Sequence, residues 1–531
     1  MGYFDTIIVG AGFSGLYQLH KFRDKLNLKS LVIEEGDGIG GTWYWNGYPG
    51  ARCDSESYSY GYTFSKEIYE NWKWKERYPK QTIILKYLNY VSKKLNLKKD
   101  ILFGHKVVTS IYLEKKNLWK VKTNKNKIFF CKYLISAVGS LSSANIPNIK
   151  GIKNFNGEWY HSGRWPKKFV NFKNKTVAQI GTGSSGIQIA PEIAKIAKKI
   201  VIFQRTPNYS IPARNSQLTK DFKKYIKKNY KKVKKLLKKT PGGHTFHFSK
   251  KSAFDFNEKK RNLIYERAWK KGSLSFRATF KDITKSIKAN KTASKFIKNK
   301  ILSVVKNKKF AKILTNFDHP FTSKRPTLNT NYYETFNKKN VDLVDLKVNP
   351  IIKITKKGIK TKEKEYLFDK IIFATGFDAF TGSILSLNLI GKENKKLKSL
   401  WKNGPKTYLG IMMPYFPNLF VVQGPGSPSV LTNVPVQIEQ HVEWITNCID
   451  YLEKNKKQTI EATTKSANIW SKEIMKLANA SLFMKAKSSW YKGDNIPGKP
   501  KIFIPYPGEM PKYRNICDKA KKNKYKQFKI S

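Results

Sequence analysis

The sequence predicts an α/β protein with two parallel-sheet units and a helical insertion. Three observations carry that reading. A strand-like run, Thr6–Val9, meets a glycine-rich turn and then a helical pattern. Residues 176–203 repeat the order of strand, glycine turn, helix and strand. Residues from about 215 to 320 show helical periodicity, few glycines and no such turn.

The size agrees. At 531 residues the chain exceeds one ordinary core, so two or three domains are expected. Hydrophobic residues at 40% and aromatics at 14% supply buried cores and exclude a disordered chain. No apolar run reaches the roughly 18 residues of a membrane span. The N-terminus leads straight into Thr6-Ile7-Ile8-Val9 without a signal-peptide pattern, so a cytoplasmic location is expected. Cys53, Cys131, Cys448 and Cys517 are scattered without C-x-x-C spacing and read as reduced thiols. His244 and His247 form a lone H-x-x-H with no acidic or cysteine companion, so no metal site is expected.

Charge is the unusual feature: 103 basic against 37 acidic residues, net +66. Such an excess raises nucleic acid or membrane as partners. The lysines, however, spread along nearly the whole chain beside abundant Asn, Ile and Tyr, all residues with A/T-rich codons. Genome composition accounts for that pattern, and no nucleic-acid partner is expected. The densest stretch, Lys220–Lys239, sets Phe222, Tyr225, Ile226, Val233, Leu236 and Leu237 at helical spacing among lysines. A solvated helix face is the expectation, with an anionic surface contact as the alternative.

The first glycine turn is Gly10-Ala11-Gly12-Phe13-Ser14-Gly15, followed by a helical pattern through Phe22 and a second strand, Ser30–Ile33, ending on Glu34. This is G-x-G-x-x-G between strand and helix, with an acid 19 residues past the third glycine. Bare glycine backbone and a helix N-terminus suit a pyrophosphate, and the carboxylate suits ribose hydroxyls. The second turn, Gly181-Thr182-Gly183-Ser184-Ser185-Gly186, follows strand Thr176–Ile180 and precedes a helix expected through Ala197 and strand Ile200–Phe203. Its residue at the same offset is Arg205, then Thr206. A guanidinium there suits a 2′-phosphate. The economical assignment is FAD in the acid-ended site and NADPH in the arginine-ended one, in two Rossmann-like dinucleotide-binding domains.

Two more runs place the crossings between these domains. Tyr133–Val138 ends at Gly139, and Lys370–Thr375 ends at Gly376. The NADPH domain is then inserted into the FAD domain. The expected boundaries are 1–140 for the first part of the FAD domain, 141–215 for the first part of the NADPH domain and 216–320 for the helical insertion. Residues 321–380 form the second part of the NADPH domain, and 381–531 the second part of the FAD domain with a C-terminal loop.

Between the domains lies Phe155-x-Gly157-x-x-x-His161-x-x-x-Trp165-Pro166. It resembles the fingerprint of Baeyer–Villiger monooxygenases, with every specified position present. Gly40–Asp54, which contains Gly41-Thr42-Trp43-Tyr44-Trp45 and Tyr48-Pro49-Gly50, resembles that family's longer flavin-side motif. The likeness continues through Gln204–Pro207, Ser323-Lys324-Arg325, Gly424–Ser429 and Ser489-Trp490-Tyr491, and the lysine content outside the motifs is the main departure.

The resemblance implies site roles. Glu34 binds the FAD ribose, Thr42, Trp43, Asp54 and Tyr60 line the flavin, and Val107 meets the adenine through its backbone. Arg52, Cys53, Thr182, Gly183, Ser184, Ser185, Gln188, Arg205, Thr206 and Lys324 belong to the NADPH side. Trp490 closes over the nicotinamide from a mobile segment. His161 serves domain positioning rather than chemistry, and Cys53 packs rather than acting as a redox thiol.

The implied reaction inserts one oxygen atom of O2 beside a ketone carbonyl to give an ester or lactone. The peroxide anion formed at the flavin is held by Arg325, and Asp54 sets the arginine's position. Oxygenation of sulfur or nitrogen by the same flavin is the nearest rival, and a non-catalytic basic binding protein the remote one. The insertion and the Pro428–Pro435 loop are expected to carry the substrate preference. The oligomeric state is left open, a monomer being the simplest expectation.

Overall fold

The computed structural model describes residues 2–531, organised around two sheets. The first sheet runs Leu389–Ile390, Val107–Leu113, Leu118–Thr123, Ile128–Ser136, Gly2–Val9, Ser30–Ile33 and Ile101–Leu102. Its nucleotide half is parallel: Gly2–Val9 pairs with Ser30–Ile33 on one side and with Ile128–Ser136 on the other. Burial on both faces explains why Ile7–Val9 reads as a continuous apolar run. The strand Leu419–Val421 adds parallel to Ile128–Ser136, so chain from both ends of the sequence closes this sheet.

The second sheet is wholly parallel, ordered Val341–Asp345, Lys199–Gln204, Thr176–Ile180, Lys370–Phe373 and Glu158–His161. A small antiparallel meander, Ile351–Ile354, Gly358–Thr361 and Glu365–Leu367, flanks it. The helix after the second glycine turn is Ser184–Ile193, shorter than the expected run to Ala197. Lys195 and Ile196 bond back only three residues, to Glu192 and Ile193, and such tight bonds end an α-helix.

Residues 216–320 are helical, with helices at Lys220–Lys228, Tyr230–Lys239, Glu258–Lys271, Ile287–Val304 and Lys308–Leu314. Side-chain caps start four of them: Thr219, Asn257, Ser286 and Asn307 each accept a backbone N–H from the first turn. The lysine-rich stretch is broken at Asn229, and Ile226, Tyr230 and Leu237 are its buried residues while Tyr225 is exposed. Tyr265, Phe276, Phe280 and Phe321 form an aromatic core against the second sheet's cluster. The insertion leaves and rejoins through Ser210–Pro212 and Thr327–Asn329, which pair in parallel.

The long helix Val434–Lys454 packs on Phe13–Lys25, with Gln18 Nε2 donating to Thr446 Oγ1 at 3.3 Å. All four cysteines are buried and free. Among the described residues no helix is long and apolar enough to cross a membrane.

Candidate active site

Both glycine turns are built by the same steric rule. Gly10 has φ +108°, and a Cβ there would stand 2.7 Å from the Ala137 carbonyl oxygen. A Cβ on Gly15 would stand 1.8 Å from the Gly10 oxygen. In the second turn Gly181 has φ +105°, with a Cβ 2.4 Å from the Ala374 oxygen, and Gly186 faces the Gly181 oxygen at 2.3 Å. Only glycine fits at these close approaches.

The first turn opens on a cavity of about 200 Å³ lined by Gly10, Gly12, Phe13, Ser14, Glu34, Thr42, Trp43, Tyr60 and Val107. Gly15 lies beneath the loop rather than in it. Glu34 accepts N–H bonds from Ala11 at 2.6 Å and Gly36 at 2.8 Å, one on each oxygen. Burial pushes its carboxyl up, against the pull of those two bonds. A carboxylate has roughly four acceptor positions, so each oxygen keeps one for a ribose hydroxyl. Gly12 faces Gly41 backbone to backbone, a Cβ on Gly41 standing 3.0 Å from Gly12 Cα. This bare cradle, ending on a carboxylate, fits FAD. Trp43 and Tyr60 meet edge to face, joined by the Trp43 Nε1 bond to the Tyr60 hydroxyl at 3.2 Å.

The second turn leaves open space at Gly183, where a Cβ would meet nothing within 4 Å. Thr182 Oγ1 donates to the Thr206 carbonyl at 3.5 Å, tying the turn to the end of the next strand. Arg205 follows that strand and is exposed. Burial lowers the Lys324 ammonium; Asp318 resists the shift and Arg205 adds to it, so the two cations share one locality. Asp318 also accepts from Thr206 Oγ1 at 3.3 Å. Open glycine backbone beside paired cations fits NADPH, whose 2′-phosphate needs them.

Gln188 couples the two sites. It accepts from the Tyr48 hydroxyl at 3.0 Å and the Arg52 N–H at 3.4 Å, and its Nε2 donates to the Arg52 carbonyl at 3.2 Å. Arg52 also pairs with Glu76 at 3.7 Å. Burial and Asp54 push the Cys53 thiol up, which makes it a poor thiolate.

Asp54 follows at once and is gripped by Arg325: Nε to Oδ2 at 2.7 Å and Nη2 to Oδ1 at 2.9 Å. Arg325 Nη1 donates to the Val430 carbonyl at 2.6 Å. Burial works to raise the Asp54 carboxyl, but Arg325 outweighs it and holds the group below its usual range. Burial likewise opposes the guanidinium charge, and Asp54 more than restores it. Both residues stay ionised.

The Trp490 ring stacks on Phe380 at 5.9 Å and tilts against Tyr491 at 4.5 Å. Its segment is pinned to the second crossing: Lys499 pairs with Asp378 and donates to the Ala379 carbonyl at 3.0 Å, and Asn495 Nδ2 donates to the Phe377 carbonyl at 3.1 Å. Lys492 pairs with Asp494 at 3.1 Å.

The fingerprint residues are structural supports. Phe155 is buried, and a Cβ on Gly157 would stand 2.3 Å from the Asp369 oxygen. His161 is buried, accepts the Gly163 N–H on Nδ1 at 3.0 Å, and is pushed down to about 4 by burial. Trp165 is buried against Tyr160, its backbone N–H donates to the Trp45 carbonyl at 3.2 Å across the domains, and half-buried Pro166 follows.

Sequence reasoning gave no role in this site to four of its neighbours. Arg164, inside the fingerprint, lines the first cavity and reaches Glu35 at 3.3 Å. Tyr491 and Arg277 both feel the Asp54–Arg325 pair. His244, weighed only as a metal ligand, is buried beside the same pair. Arg164 could have been found by its place in the motif; Arg277 carries no local signal.

A family profile described as pyridine nucleotide-disulphide oxidoreductase matches residues 7–262. A cyclohexanone 1,2-monooxygenase of Acinetobacter sp. is 39% identical over 99% of this chain and 96% of its own. A Baeyer–Villiger monooxygenase of Pseudooceanicola batsensis is 39% identical over 98% and 95%. A phenazine N-monooxygenase of Lysobacter antibioticus is 37% identical over 96% and 94%. The crystal structure of OTEMO in complex with FAD and NADP superposes with a TM-score of 0.96 at 36% identity, covering 99% of each chain. With the fingerprint, two nucleotide folds and these likenesses across nearly its whole length, the chain belongs to the Baeyer–Villiger monooxygenase family.

Proposed function

We propose that this protein binds FAD and NADPH and inserts one oxygen atom of O2 next to a ketone carbonyl, giving an ester or lactone. Residues from the first glycine turn through Glu34, with Thr42, Trp43, Tyr60 and Val107, would hold FAD. The loop Thr182–Gln188, Arg205, Thr206 and Lys324 would hold NADPH. FAD supplies oxygen activation when bound, and NADPH the hydride.

The observation that carries the reading is the half-buried Asp54–Arg325 ion pair, which follows directly on the Arg52 link to Gln188. Three of the guanidinium's N–H groups are used by Asp54 and Val430. A guanidinium has five donors in all, so the remaining ones can meet an oxygen as negative charge develops on it. A fixed donor in a water-poor site is worth about 3 kcal/mol to such a centre. Asp54 holds the guanidinium in position, and Trp43 and Tyr60 wall the site against water.

Nitrogen oxygenation is kept as a second reading by the likeness to a phenazine N-monooxygenase. The deciding experiment incubates the purified holoenzyme with NADPH, isotopically labelled O2, and a panel of ketones, sulfides and aromatic amines. Labelled ester or lactone is expected. Labelled N- or S-oxide with no ester from any ketone would replace the primary reading with the second.

A further inference from the structure

The helical insertion brings two polar side chains to the Asp54–Arg325 pair that the reaction itself does not require. Arg277 lies on the short turn Leu274–Ala278, and His244 follows Gly242-Gly243. The bare Gly242 backbone makes room between them: a Cβ there would stand 3.1 Å from His244 Cδ2 and 3.3 Å from Arg277 Nη2. Phe246 and Phe248 flank the guanidinium at 5.9 and 6.0 Å, and the His244 ring stacks on Phe246 at 5.4 Å.

Each group leaves one nitrogen unsatisfied. Arg277 Nε and His244 Nε2 are sealed from water and have no hydrogen-bond partner. The acid that Arg277 feels is Asp54, whose two oxygens are already taken by Arg325. Asp54 and Arg325 together are neutral, so Arg277 adds one positive charge that nothing balances. Burial and the Arg325 charge push it down to about 10, which still leaves it protonated at neutral pH. His244 is driven well down by burial and both arginines, so it is a neutral imidazole with one N–H to give. Arg277 is half-buried and forms no ion pair with a carboxylate among the described residues, so a bound anion supplies the partner its sealed Nε lacks.

We infer that Arg277 and His244 form a carboxylate-binding subsite, so that the ketone this enzyme oxygenates carries a carboxylate on an apolar body. The inference rests on the ketone-oxygenating reading above. Charge selects the anion: one guanidinium with a neutral imidazole balances a monoanion, whereas a phosphate dianion would be left half-matched. The flanking phenylalanines suit the apolar part of such a substrate.

The test compares 3- and 4-oxocyclohexanecarboxylate with their methyl esters on the holoenzyme. The acids should be preferred by at least about tenfold in kcat/KM, the difference lying in KM. In Arg277→Gln that ratio should collapse towards unity, and in Arg277→Lys part of it should return. Titration of the acid into oxidised holoenzyme, followed by calorimetry, should show at least about tenfold weaker binding in Arg277→Gln. Equal use of acid and ester by the wild type overturns the subsite. So does an Arg277→Gln variant that loses acid and ester turnover alike, since that would assign the charge to the reacting oxygen. If no ketone yields ester but Arg277-dependent acid binding persists, the subsite stands and the Baeyer–Villiger reading falls.

Discussion

Arg325 has its Nε and one Nη engaged by Asp54 and its other Nη on the Val430 carbonyl, which fixes a charge without consuming every donor. Flavin reduction by hydride creates no oxygen anion, so the two half-reactions should respond differently to its loss. Arg325→Ala is expected to keep FAD and accept hydride from NADPH, more slowly because Lys324 is adjacent, while ester formation gives way to hydrogen peroxide. Arg325→Lys should rescue little, since one ammonium cannot replace a planar donor fork. Stopped-flow flavin absorbance and ester analysis on the same variants decide this, and near wild-type ester yield from Arg325→Ala would remove the residue from the mechanism. Arg205 and Lys324 carry a second expectation at this scale. NADPH should be preferred over NADH by at least about tenfold, roughly 1.4 kcal/mol, and Arg205→Ala should erode most of it. Equal turnover of both nicotinamides by the wild type would refute it. Arg325 and Asp54 are 271 residues apart in sequence, so no spacing rule joins them; only the family motifs around each made the pair legible. Arg277 lacked even that, as one guanidinium within a +66 chain.

The segment around Trp490 is anchored by buried Tyr491 and tied to the second crossing by the Phe380 stack, the Lys499 pairing with Asp378 and the Asn495 bond to Phe377. It contains Gly493 and Gly498 at positive φ, positions that let a closing loop bend. Trp490→Ala should retain FAD but lower the share of NADPH consumption that ends in product, with the remainder appearing as peroxide. Lys499→Ala should reproduce that uncoupling without touching the aromatic ring, because it unpins the same segment. Tight coupling in both variants would exclude the segment from the reaction. Elements of this kind differ in how openly the sequence announces them. The two strand–glycine–helix units were legible because φ and close backbone contacts dictate glycine locally, at Gly10 and Gly181 alike. The end of the second helix at Ile193 was not, since Ala194–Ala197 has good helix propensity and only the tightened bonds of Lys195 and Ile196 stop it. Nor was the break at Asn229, where the lysine-rich periodicity runs on through a residue that leaves helical geometry.

At the scale of the whole molecule, the two nucleotide sites are locked together by Gln188, Tyr48 and Arg52 and by the Trp165 bond to Trp45, and both sit inside a strongly basic chain. That charge was plain from composition, while its use was not, because lysines dispersed on solvated faces carry no motif. A net charge of +66 produces an attractive field for any anion approaching from solution. NADPH is such an anion, and so is a keto acid, whereas a simple ketone is not. Between about 10 mM and about 150 mM salt the screening length falls from roughly 30 Å to roughly 8 Å, which removes most of that attraction at the distances where encounter begins. The second-order rate of flavin reduction at low NADPH should therefore fall several-fold over this range. The limiting rate at saturating NADPH should hold, because Arg205 and Lys324 act at contact. The KM of a neutral ketone should hardly move, and sucrose in place of salt should leave all three unchanged. The same screening relieves self-repulsion in the folded chain, so its melting temperature should rise with salt while NADPH capture slows. Opposite signs for these two responses, measured on one preparation, are the signature of a long-range field. If NADPH capture is flat from low to moderate salt, the basic surface does not steer the cofactor, and the affinity for it rests on the second glycine turn and its two cations alone.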